Sequence, residues 1–316
     1  MKNEMVIALT AAMVLLVCGC GGPGADKAGI SSGTHYRLIQ EVSQSISWEG
    51  LIQKGPAFES GKNLNRLEMD FHEDIVSTDQ KGNVVKKITI LGLKYNSIVR
   101  NTPLFSFDSA VDKDPANPLV KLPGQSYTIK TADNGTVVEV KDLEKFKDIG
   151  SGSTTADTTA KRLVSEEAIK ERHGMILLPG RAAGQLKQGQ TWSDIKNYPF
   201  GKMGTLVYER IYTVKGITGK VADIDMKGIP SSENADEIYK QQQGGDFAKG
   251  FDNTVTYTGQ LKIDLVSGKV KAYSEKLQSD WVSIKLPTKP GETGSVTLKM
   301  GAVRTYELQK IPLKRR

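Results

Sequence analysis

Alternation of apolar and polar positions runs through most of the chain. Tyr36, Leu38 and Gln40 open a segment of period two that continues toward Ile46 and Trp48, and Leu67, Met69 and Phe71 alternate with Glu68, Asp70 and His72. That period places apolar side chains on one face of a strand and polar ones on the other, as in a half-buried antiparallel sheet. Asp79-Gln80-Lys81-Gly82-Asn83 predicts a turn, and Val84 to Leu93 the next strand of a meander. Asp108 to Pro118 is polar and interrupted by Pro115 and Pro118, which predicts a loop. Ser126 to Lys130 and Thr136 to Val140 flank Asn134-Gly135, which predicts a hairpin closed by a type I′ turn. A short helix is expected over Asp142 to Asp148, and the Gly/Ser/Thr-rich Gly150 to Thr155 predicts a linker or exposed loop. Ser165 is placed to cap a second helix, with Glu166 and Glu167 in its first turn, Arg172 and His173 in its last, and Gly174 to stop it. Met175 to Pro179 is expected to pack behind it.

The strand pattern then resumes over Thr205 to Val214, Lys220 to Met226, Thr254 to Leu265, Val270 to Trp281 and Val296 to Leu308. Ser231 to Gly250 reads equally as a short helix or a loop. The fold class expected is mainly β with a few short helices (α+β), as a large curled antiparallel sheet or as two packed sheets. Residues 34–150 and 151–316 form two β-rich halves with a similar order of strands, loop and hairpin, although no residue-by-residue repeat relates them.

The first residues break the pattern. An apolar run from Met5 to Val17 follows Lys2 and precedes a flexible Gly-Gly-Pro-Gly, as in a secretory signal. It is too short for a spanning helix, which needs about 20 apolar residues. The stretch Leu15-Leu16-Val17-Cys18-Gly19-Cys20 resembles the lipobox of bacterial lipoproteins. The resemblance implies cleavage between Gly19 and Cys20, a diacylglyceryl group on the Cys20 thiol and acylation of the new amine. Residues 1–19 are then the signal peptide and 20–33 a flexible tether. Several acyl chains give stable anchoring where one gives only marginal binding. Cys18 is the rival site, but cleavage before it would put bulky Val17 at the cut. The expected location is therefore extracytoplasmic, tied to an envelope membrane, with the choice of membrane and face left open.

Composition removes several chemistries. Cys18 and Cys20 are the only cysteines. With one discarded and the other acylated, the mature protein has no disulfide, thiolate metal site or cysteine nucleophile. The net charge of +7 comes from 43 Lys and Arg against 36 Asp and Glu. It is compatible with anionic lipid or polysaccharide nearby, but the only basic cluster is the tail Lys310 to Arg316, so no nucleic-acid partner is expected.

Three segments carry a further likeness: Leu122-Pro123-Gly124-Gln125-Ser126-Tyr127-Thr128 with Asn134 to Val140; Leu177-Leu178-Pro179 with Leu186-Lys187-Gln188-Gly189-Gln190-Thr191-Trp192; and Ile263 to Val270. Together they resemble an uncharacterised domain-of-unknown-function family of bacterial envelope lipoproteins. That resemblance implies an extracytoplasmic β-rich lipoprotein and supplies no catalytic residues. A weaker, fold-level likeness is to the half-barrel carriers of lipoproteins and lipids.

No motif assigns chemistry. His35, His72 and His173 are scattered, and the adjacent His72, Glu73 and Asp74 point to alternate faces of a strand. Asp112-Lys113-Asp114-Pro115-Ala116-Asn117 lacks the glycine and distant glutamate of a calcium loop. Gly150-Ser151-Gly152-Ser153 is not a nucleophile elbow. Trp48, Trp192 and Trp281 are expected to pack. No catalytic residue, metal or cofactor is expected, and ligand-binding residues stay unassigned. The function expected is a non-catalytic binding or structural module on the envelope, its partners being the membrane and either an apolar ligand or an envelope polymer, in an unspecified oligomeric state. Two alternatives remain: a carrier or sensor of a lipid-like ligand in a groove of the sheet, and an extracytoplasmic hydrolase with a carboxylate site. The carrier reading predicts a pocket of roughly several hundred Å³ lined by aliphatic side chains with few charges.

Overall fold

The computed structural model describes residues 33–50, 60–132, 134–174, 186–199, 205–230, 252–285 and 296–312. Cys18, Gly19, Cys20, the segment 175–185 and the polar stretch 231–251 lie outside them. The described strands are β1 (Thr34–Gly50), β2 (Gly61–Thr78), β3 (Val84–Val99), β4 (Thr102–Asp108), β5 (Ser126–Thr131), β6 (Val137–Lys141), β7 (Thr191–Pro199), β8 (Thr205–Thr218), β9 (Val221–Pro230), β10 (Asp252–Asp264), β11 (Val270–Lys285) and β12 (Val296–Ile311). All belong to one antiparallel sheet in the order β6-β5-β3-β2-β1-β12-β11-β10-β9-β8-β7, with β4 beside β5 along the far edge of β3. The alternative of two packed sheets is corrected to this single sheet. Ser32–Arg316 cluster as one compact unit.

The first and last strands meet in the middle of the sheet, with Leu38 opposite Leu308 and Gln40 opposite Tyr306. Because register carries across neighbours, each inward residue joins a row that runs the width of the sheet. One row passes through Leu93, Met69, Leu38, Leu308, Tyr273, Leu261, Ile224 and Val214. All but the half-buried Leu308 are fully buried. Each such side chain stabilises the fold by about 1.5–3 kcal/mol through burial. The outer face is polar; there the Arg37 guanidinium donates twice to Asp70, each bond 2.8 Å.

The sheet is strongly curled. Lys196 and Tyr198 on the edge strand β7 line the same cavity as Leu67 on β2. These strands are seven steps apart in the sheet, about 34 Å if it were flat at roughly 4.8 Å per strand.

Two short helices lie on the concave face. α1 (Thr155–Leu163) opens with a capping box between Thr154 and Asp157, and Ser165 caps α2 (Glu166–His173). The second helix ends at Gly174 as the sequence pattern requires. The first replaces part of the linker expected near residue 155, with Ala160 and Leu163 buried. Only a 3-10 turn, Glu144–Phe146, forms where a helix was expected over Asp142 to Asp148, and Asp142 has a φ of 65° that no α-helix accommodates. The hairpin between β5 and β6 is present, but its turn is not a type I′ centred on Asn134-Gly135. The Gly135 N–H bonds back to the Ala132 carbonyl at 2.9 Å, and Gly135 has a φ of 89° while Asn134 is not left-handed, whereas a type I′ turn needs both central residues so.

Candidate functional site

Charged side chains occupy inward positions on one side of the sheet, where the row pattern calls for apolar ones. Asp194 on β7 stands directly opposite Arg210 on β8. The Arg210 Nε donates to Asp194 Oδ1 at 2.8 Å and its second terminal nitrogen to Oδ2 at 2.5 Å, a bidentate pair. Its other terminal nitrogen donates to Glu275 Oε2 on β11 at 3.1 Å. Two glycines make room for this reach. Gly228 lies opposite Arg210 and Gly259 opposite Glu275. A Cβ on Gly228 would sit 2.5 Å from Cγ of Tyr257, so the ring fills the space a side chain would have taken.

Hydroxyl groups complete the network. Tyr257 and Tyr273 both donate to Glu275 Oε2, at 3.0 and 2.5 Å, and Tyr212 donates to Asp194 Oδ2 at 3.3 Å. The Lys196 ammonium lies 3.5 Å from Glu275 Oε1 and 5.1 Å from the Tyr198 ring centre. Burial pushes the Glu275 carboxyl up, but Lys196, Arg210 and the two hydroxyls outweigh it and hold the group below its ordinary 4.5. Burial lowers the Lys196 ammonium to about 8 against the opposing pull of Glu275. Asp194 and Glu275 therefore converge as the hydrolase reading required, but both are committed to one guanidinium. Glu275 is held ionised, the reverse of what a general acid needs at neutral pH.

A second centre sits at the end of α2. Arg172 is 2 % exposed. One terminal nitrogen donates to the Leu163 carbonyl, the last residue of α1, at 2.6 Å, and the other reaches the Tyr127 hydroxyl at 3.4 Å. Its Nε is buried with no hydrogen-bond partner among the described residues. Tyr306 donates to the Arg172 backbone carbonyl at 2.7 Å, which ties α2 to β12. Next to it, His173 Nε2 lies 2.7 Å from the Tyr127 hydroxyl, with the imidazole edge-on to Phe71. Burial, then the charges of Arg172 and Lys86, hold His173 well below its ordinary 6.5, so it is neutral at pH 7.

Two cavities adjoin at Arg172 and Tyr306. The first, about 280 Å³, lies between the helices and strands β1, β2, β3, β7, β11 and β12. The second, about 230 Å³, is lined by Phe71, Ile75, Val84, Ile129, Val270 and Leu308 among others. The first corrects the expectation of an aliphatic pocket with few charges, because Arg162, Arg172, Lys196 and Arg304 border it with Glu171 and Glu275. Glu171 is bonded to Arg304. Arg162 donates to the Tyr95 hydroxyl and lies over that ring.

Other residues singled out from the sequence fall elsewhere. His35 and His72 are cross-strand neighbours with ring centres 4.6 Å apart, and His72 bonds Asp74 two residues on. Among the described residues, no group of three or more His, Cys, Asp or Glu is arranged to hold a metal ion. The carboxylates of Asp112 and Asp114 accept from backbone N–H groups of their own loop. Trp192 stacks on Tyr212, and Trp281 is buried.

Three comparisons bear on this arrangement. The model of a family described as a family of unknown function, DUF6263, matches residues 81–270, from just before β3 to the start of β11. The minichromosome maintenance protein MCM of Saccharolobus solfataricus is 22 % identical over 234 residues. That match takes in 72 % of this chain but 31 % of the relative, so the chain spans about a third of that protein's length. A crystal structure of Pseudomonas aeruginosa OpdL aligns with 90 % of this chain and 100 % of its own, at 8 % identity and a TM-score of 0.17. Neither likeness transfers a role.

Proposed function

We propose that this chain, which belongs to the DUF6263 family of unknown function, is a lipid-anchored envelope protein that binds a lipid-like ligand beneath its curled sheet without chemical turnover. The observation that carries the reading is the pair of cavities meeting at Arg172 and Tyr306. Each is smaller than the ~300–1,000 Å³ usual for ligand pockets, so a ligand of ordinary size would span both. Cys20 would hold the domain at the membrane from which such a ligand comes.

A second reading, a purely structural module, draws on the Asp194–Arg210–Glu275 network, which fixes β7, β8 and β11 to one another with no ligand. Occupancy separates the two. The full chain is titrated with a fluorescent fatty acid beside Val270→Trp, which fills the second cavity, and Val138→Trp at an exposed site as control. Saturable binding lost only in Val270→Trp is the expected result. Binding that survives Val270→Trp, or is absent from the unaltered chain, rejects the ligand reading.

A further inference from the structure

Among the described residues the Arg172 side chain has no counter-ion, and its hydrogen bonds go to a carbonyl and a hydroxyl, both neutral. The bland explanation is a brace: the guanidinium ties the end of α1 to α2, and the carbonyl ends of both helices favour a cation there. A brace needs neither full burial nor a charge, and it leaves Nε without an acceptor among the described residues. Burying an uncompensated charge is expensive, and buried cations normally have anionic partners. Arg172 is also shared between the two cavities. In the first cavity the two carboxylates are already engaged by Arg304, Arg210 and Lys196. In the second, Glu73 is paired with Lys86.

We propose that the missing counter-ion is the ligand's own: the cavities receive an anionic amphiphile whose carboxylate or phosphate meets Arg172, flanked by Lys196, and whose aliphatic part lies among Phe71, Val84, Ile129, Val270 and Leu308. This deepens the ligand reading above and rests on it. The guanidinium fork suits either oxyanion, so the head group's identity is left to the experiment. Lys196 Nζ, 3.5 Å from Glu275 Oε1, borders the first cavity together with Arg172 and adds a second positive charge to the head site.

The test is a calorimetric titration of the full chain in lipid nanodiscs, referenced to empty nanodiscs, with octanoate, octyl phosphate, octanol and inorganic phosphate. Octanoate and octyl phosphate should bind at least about tenfold more tightly than octanol, the size of one charge-assisted hydrogen bond. Arg172→Gln should bring octanoate to the affinity of octanol and leave octanol unchanged. Lys196→Gln should move in the same direction by less, and it serves if Arg172→Gln does not fold. Competition by inorganic phosphate alone would mean that a free oxyanion fills the head site, and its failure that the chain is required; the charge inference stands in both cases. Equal affinity for octanol and octanoate overturns it while leaving the lipid-binding reading intact. Binding of phosphate alone, with neither octanoate nor octanol, overturns the lipid reading and keeps the anion site. No binding of any of the four overturns both.

Discussion

Removing Arg210 tests whether the buried network carries stability through charge. In Arg210→Met the side chain keeps its bulk but Asp194 and Glu275 lose the cation between them. Arg210 is 1 % exposed, and the two carboxylate side chains are 11 % and 4 % exposed, so water cannot take its place. Breaking a buried pair from one side costs about 3–5 kcal/mol. Lys196, Tyr257 and Tyr273 would still serve Glu275, and Tyr212 would still serve Asp194, which places the expected loss near the lower end, about 3 kcal/mol. At roughly 2–4 °C per kcal/mol, the melting temperature should fall by about 6–12 °C. The pH dependence identifies the cause. In the unaltered protein the Glu275 carboxyl is held below its ordinary value, so its contribution is present above pH 4.5 and fades as pH falls through the lower folded value. In the variant, burial remains and one of the two cations opposing it is gone, so the same carboxyl rises. Its penalty is then largest near neutral pH and shrinks as the group takes up a proton. Thermal unfolding followed by circular dichroism at several pH values between 7 and 4 should show the gap between variant and parent narrowing with acid. The Arg210→Met/Glu275→Gln pair should lose less than the sum of its single variants. A drop under about 2 °C, or a gap that does not change with pH, would refute the charge argument.

Gly228→Ala should destabilise the fold by about 1–3 kcal/mol, because the new Cβ would sit 2.5 Å from the Tyr257 ring; urea unfolding measures it, and an unchanged midpoint would mean that β9 and β10 can shift apart. The Lys196 ammonium, lowered to about 8 from its usual 10.5, is shed earlier by the folded than by the unfolded chain, so its contribution to stability rises with pH between those values. Lys196→Met should lack that rise, so the parent-minus-variant difference should climb across the interval, and a difference flat across it counts against the burial of this group. Cys20→Ser should leave a soluble or uncleaved product without fatty-acid label, whereas Cys18→Ser should stay anchored; label on the Cys20 variant would reject the anchor site.

The sequence made the strands with regular alternation legible, since Leu67, Met69 and Phe71 are the residues the sheet buries. It made α2 legible too, because Ser165, the early acids and Gly174 are local signals whose meaning does not depend on the rest of the fold. It hid β7 for a physical reason. Two of the inward positions there, Asp194 and Lys196, are charged, while Ile195 on the outer face is 47 % exposed, so the middle of the strand breaks the usual alternation although Trp192 and Tyr198 also face inward. α1 was obscured by its three threonines, which are weak helix formers, although Thr154 and Asp157 at capping-box spacing gave a usable signal. The pairing of β1 with β12 joins the two ends of the domain and leaves no local trace. Arg172 was visible only as a basic residue in a last turn, where the helix dipole explains a cation without further cause. Its burial depends on the curl of the whole sheet over the helices.

Native mass spectrometry of the full chain extracted from its own membrane tests the central claim most directly, with added octanoate as competitor. Binding beneath the sheet predicts a species heavier than polypeptide plus anchor by one acidic amphiphile, and loss of that mass as octanoate replaces it. The mass of polypeptide plus anchor alone, unchanged by octanoate, would contradict it.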